Sequence, residues 1–203
     1  MAAAAVLVEG LEDEGGFPAG DTMTTLYTLG HGTLVAEVFV GLVTGAGVRR
    51  IVDVRSFPGS RRNPQFGREE MQRWLTAAGL AYAWIPGLGG RRPPLAGSRH
   101  AALRHDAFRG YADHMATAGF LAGCDELVSM ASREPTAVMC SESLWWRCHR
   151  RLLADHVALV RGLEVVHLMH DGRLTAHVPT EGVRRSDDGL VYDVGVTPPL
   201  PDA

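Results

Sequence analysis

Strand-length apolar runs alternate with helix-length stretches along most of this chain, and that alternation restricts the fold more than any other feature. The runs LYTLG, RIVDV, AYAWIP, TAVMC and LEVVHLM read as strands, and RLTAHV offers a sixth. Thr33 is expected to cap a first helix with Leu34, Val38, Leu42 and Val43 on one face. A second helix is expected over about residues 68–78, with Met71, Trp74 and Leu75 inward. Two more fall within 105–132, broken near Ala118–Gly119, and the segment SESLWWRCHRR runs from loop into a further helix. The order β-α-β-α-β-α-α-β-α-β predicts an α/β fold, a three-layer sandwich with a mostly parallel central sheet of about five strands.

One such domain is expected over residues 25–178. Residues 1–24 carry five acids and no base and are expected to form a disordered leader. Residues 179–203 read as a polar, Pro-rich tail. With 46% hydrophobic residues in 203, the chain can bury a core without staples. No window approaches 18 uninterrupted apolar residues, so neither a membrane span nor a membrane partner is expected. The opening segment lacks the basic start of an export signal, and three cysteines make no disulfide framework. Both points favour a cytoplasmic protein.

In open parallel sheets, ligands sit beyond the carboxyl ends of the strands. Gly30-His31-Gly32 follows the first strand, and Asp53-Val54-Arg55-Ser56 ends the second. Gly89, Gly90, Arg91 and Arg92 follow the third, and Cys140, Ser141 and Glu142 the fourth. Every basic residue is Arg, and residues 49–109 hold 12 of them against four acids. Guanidinium forks suit phosphate, so an anionic ligand is expected, held by Arg55, Arg61, Arg62, Arg91, Arg92, Arg147 and Arg150.

TLGHGT, DVRSFPGSRRNPQF, LGGRR, FRGYADHM and MCSESLWWRCHRRLLAD together resemble the domain of unknown function 488 family, over about Leu26 to His177. The resemblance implies a compact α/β domain with a parallel sheet. It implies no reaction.

Candidate chemistry therefore rests on the residues themselves. Glu142 and Asp53 are two carboxylates that could activate water, with His31 and His149 as proton carriers. Cys140, between a strand and a helix, could be a thiolate nucleophile, although six residues rather than five separate it from Arg147. Trp145 could stack on a base while its neighbour packs in the core, and Tyr111 could cap the pocket. No C-x-x-C or H-x-x-x-H spacing occurs, so no metal is expected. Phosphate-loop and dinucleotide motifs are also lacking, and no cofactor is expected. The favoured reading is hydrolysis of a nucleotide or nucleic-acid base, with attack at an N-glycosidic bond as one form of it. The alternatives are a non-catalytic binder of a phosphorylated ligand and sulfur-transfer or redox chemistry at Cys140.

Overall fold

The computed structural model describes residues 24–59 and 62–196; Arg61 and most of the expected leader lie outside the described residues. Five strands form the parallel part of the sheet: β1 (Thr25–Gly30), β2 (Arg50–Asp53), β3 (Ala81–Trp84), β4 (Thr136–Cys140) and β5 (Glu164–Leu168). The antiparallel β6 (Leu174–Ala176) completes the order β3-β2-β4-β1-β5-β6. The helices are α1 (Ala36–Gly45), α2 (Arg68–Ala77), α3 (Asp106–His114), α4 (Ala118–Ala131) and α5 (Arg150–Leu159).

Strand alternation sorts the core into two layers. Ile51, Ala137 and Met139 pack with Phe39, Val43, Met71 and Leu75 of α1 and α2. Val52, Val138 and Leu26 pack with Tyr111, Phe120, Leu127 and Leu152 of α3, α4 and α5. β4, central and covered on both faces, is buried at all five positions, as its unbroken apolar run requires. The expected three-layer α/β sandwich is the fold.

Local expectations differ at three places. Thr33 does not cap α1, which begins at Ala36 behind Val35. Its inward residues are Phe39 and Val43, while Val38 is exposed. The third difference is the expected tail. Val183–Ser186 and Gly189–Tyr192 form an antiparallel hairpin, β7 and β8. Leu190, Val191 and Tyr192 are buried, and the Tyr192 hydroxyl donates to Asp155 Oδ2 at 3.0 Å. Asp187-Asp188-Gly189 between two β-prone runs was the available hairpin signal, outweighed by the Pro-rich composition that follows.

Candidate functional site

A cleft of about 1710 Å³ opens over the carboxyl ends of β1, β2 and β4. His31, Arg55, Arg91, Cys140 and Glu142 line it, as the strand-end reasoning expects, together with Arg62, Arg147 and His149. Glu181, Gly182 and Val194–Val196, beside the unforeseen hairpin, form another wall.

The wall carrying Cys140 is a turn that must lie flat against β1. Gly30 permits this, since a Cβ there would fall 1.7 Å from the Glu142 carbonyl oxygen. The buried Arg150 guanidinium donates to that same carbonyl and, at 3.5 Å, to Thr28 Oγ1. Behind Thr28 runs a buried chain of hydrogen bonds. Thr28 Oγ1 meets His167 Nδ1 at 2.7 Å, His167 Nε2 meets His177 Nδ1 at 3.0 Å, and His177 Nε2 donates to Asp155 Oδ1 at 2.8 Å. Burial, helped by His177 and the Arg150 charge, lowers His167 to about 3, so its ring is neutral. Trp145 stacks on that ring at 3.9 Å and thereby anchors the turn.

Asp53 is fully buried on the α1–α2 face and does not line the cleft. Its Oδ1 accepts from the Arg55 backbone N–H at 3.0 Å and from Arg55 Nε at 2.9 Å. Its Oδ2 accepts from Arg55 Nη2 at 2.6 Å and from Tyr82 at 2.9 Å. With both oxygens occupied, Asp53 has no lone pair turned toward a cleft water; the catalytic expectation gives way to an ion pair that holds Arg55. His31, 2% exposed and stacked on Phe66 at 4.1 Å, is lowered to about 4 by burial and by Arg55. The neutral ring donates from Nδ1 to the Gly32 carbonyl at 2.9 Å and receives Arg55 Nη1 at Nε2, 3.3 Å away. It thereby helps to position Arg55.

Three further expectations are corrected by burial. Tyr111 does not cap the pocket; it is fully buried and donates its hydroxyl to the Leu88 carbonyl at 2.9 Å. Arg150, 1% exposed, holds the turn from within. Trp145 turns to His167, and it is Trp146, 43% exposed, that faces the cleft. Arg92 also stays out of the lining, its Nε near the Gly89 carbonyl at 3.4 Å. Sequence reasoning missed Phe57, Arg104 and Arg151, all of which line the cleft. Arg104 and Phe57 sit in loops without periodicity, where only the fold assigns a direction. Glu142 is exposed at the rim of the cleft.

The second cysteine stands beside the first. Cys140 and Cys148 bring their sulfurs to 3.2 Å, and His149 Nδ1 lies 3.5 Å from Cys148 Sγ and 3.9 Å from Cys140 Sγ. The Cys148 hydrogen bond and burial push Cys140 up to about 12. Burial would also raise Cys148, but the Cys140 hydrogen bond and the charge and N–H groups of Arg150 outweigh it and bring Cys148 down to about 6. The two thiols titrate as one coupled pair, so the Cys140 singled out by sequence does not act alone.

The family model for the domain of unknown function DUF488 matches residues 35–157. The chain belongs to that family. The DUF488 match spans α1 through most of α5 and so includes the Cys140 turn and the arginine loops, while the hairpin wall lies outside it. Neither curated proteins nor solved structures give a significant match to the chain.

Proposed function

We propose that the cleft binds a nucleotide or a nucleic-acid strand and hydrolyses it, an N-glycosidic bond being the favoured point of attack. The observation that carries this reading is the pairing of unneutralised arginines with exposed rings in one cleft. Arg91, Arg104 and Arg147 line it and form no ion pair with any described residue. Guanidinium groups left in that condition are poised to take phosphate oxygens bidentately. Phe57, 77% exposed, and Trp146 offer π-faces to bases in the same space. Arg91 adopts φ +62°, the one positive φ outside glycine among the described residues. Such a conformation costs on the order of 1 kcal/mol, and strain of this kind concentrates at ligand-binding positions. Of the two carboxylates that line the cleft, Glu142 and Glu181, Glu142 stands beside Cys140 at the strand end and is assigned the activation of water, since Asp53 is consumed by Arg55.

The test is incubation with nucleoside monophosphates and single-stranded oligonucleotides, with released base followed chromatographically. Glu142→Gln should lower turnover by about 10²–10⁴ while leaving binding nearly intact. Binding without product in the wild type would instead select the binder, and undiminished product in Glu142→Gln would remove the carboxylate role. No helix among the described residues is long and apolar enough to cross a membrane.

A further inference from the structure

We propose that Cys140, Cys148 and His149 form a site for one borderline-soft divalent cation of the Zn²⁺ class, its fourth coordination position open to the cleft. The Cys140 and Cys148 sulfurs and a ring nitrogen of His149 lie within 4.8 Å of one another. Two thiolates and an imidazole select zinc-like ions over hard cations such as Mg²⁺ or Ca²⁺. The spacing is close to what the ion needs. A tetrahedral centre with Zn–S about 2.3 Å and Zn–N about 2.0 Å sets S···N at about 3.6 Å and S···S at about 3.8 Å. The S···N separations here are 3.5 and 3.9 Å, and the sulfurs stand at 3.2 Å. Opening the S···S edge by about 0.6 Å, a small side-chain rotation, completes the triangle.

The ligand atoms are held rather than gathered by chance. Cys140 ends the central strand, and Cys148 and His149 immediately precede α5, so the Arg150-locked turn fixes both approaches. Tyr111 packs against the His149 ring at 5.0 Å and 54°. Gly90 keeps the Nδ1 edge of that ring open, since a Cβ there would lie 2.7 Å from Nδ1. His149 Nε2 has no hydrogen-bond partner among the described residues, so no protein acceptor or donor there dictates the tautomer, and Nδ1 can offer its lone pair to an ion. All three residues border the cleft, which is why three protein ligands and a cleft-side fourth position describe the site, the pattern of reactive rather than purely structural zinc. Linear spacing hides this cluster, because seven residues of turn separate the two cysteines.

The cation site stands independently of the nucleotide reading, and its test contains no substrate. Reduced protein, with three free thiols verified by titration, is dialysed against Co²⁺ and then Zn²⁺, and metal content and absorption are measured. One Co²⁺ per chain is expected, with the thiolate-to-cobalt charge-transfer band and the intense visible bands of a tetrahedral centre, both erased by Zn²⁺. Cys140→Ser, Cys148→Ser and His149→Ala should each weaken uptake at least tenfold. Cys124→Ala, a thiol in the core and outside the site, should retain it. Gly90→Ala, which crowds Nδ1 without removing a ligand, should weaken it by about 10–100-fold. Circular dichroism identifies any variant that has not folded. Absence of stoichiometric cobalt in the reduced wild type would overturn the site, as would uptake unchanged in a folded Cys140→Ser/Cys148→Ser protein.

Discussion

Acid should unfold this protein through its buried histidines. His31, His156 and His167 are each at most 2% exposed. Burial lowers all three, His31 and His156 to about 4 and His167 to about 3. Folding therefore favours the neutral rings, while the unfolded chain takes up protons near pH 6.5. The stabilisation is complete above about pH 7 and is lost as pH falls toward the folded values. Between pH 7 and 5 each ring should cost on the order of 2 kcal/mol, about 6 kcal/mol together. That rivals the whole stability of an ordinary domain, about 5–15 kcal/mol. Cys148, lowered to about 6, acts in the same direction above that pH. The lowered carboxylates Asp171, Asp188 and Asp193 act only in more acidic solution. His156 isolates one ring. It lies edge-on to Phe120 at 5.1 Å, and its Nε2 has no hydrogen-bond partner among the described residues, so leucine can replace it in an apolar setting. Urea unfolding at pH 7, 6 and 5 should show His156→Leu losing about 2 kcal/mol less than the wild type. Equal losses, or a wild-type stability that is flat or rises on acidification, would refute the reasoning.

Two substitutions probe the frame around the cleft. Gly30→Ala forces a Cβ into the Glu142 carbonyl and the Arg150 guanidinium, and should destabilise by about 3 kcal/mol in urea titrations; a loss under about 1 kcal/mol would show that the turn is not seated on β1. Asp155→Asn replaces a buried carboxylate that accepts from His177, Tyr192 and the Thr180 N–H, and should cost about 3–5 kcal/mol, with an unchanged melting temperature as the contrary result.

The fold was legible because each parallel strand announces itself as a short apolar run and each crossover as a helical period. The strand-end rule likewise placed His31, Arg55, Cys140 and Glu142 around one opening. It failed for Asp53 because the rule locates a backbone position and says nothing of pairing; the Arg55 side chain folds back two residues and claims both oxygens. Trp145 and Trp146 are a similar case. Adjacent positions guarantee different directions, but which ring turns inward depended on His167, more than 20 residues away. Arg150 reads as one more cleft arginine, yet it is the buried bolt of the turn, a role visible only once Gly30 and the Glu142 carbonyl meet. The β7–β8 hairpin beside the cleft was lost to the composition of its flanks.

The most direct measurement of the proposed anion-binding role of the cleft is the salt dependence of its affinity for a fluorescently labelled single-stranded oligonucleotide. Each phosphate neutralised on a single strand contributes about −0.7 to the slope of log K against log salt, so Arg91, Arg104 and Arg147 together predict about −2. Arg147→Ala should bring the slope to about −1.4 and weaken binding across sequences alike. A slope near zero, or one that Arg147→Ala leaves in place, would contradict the account.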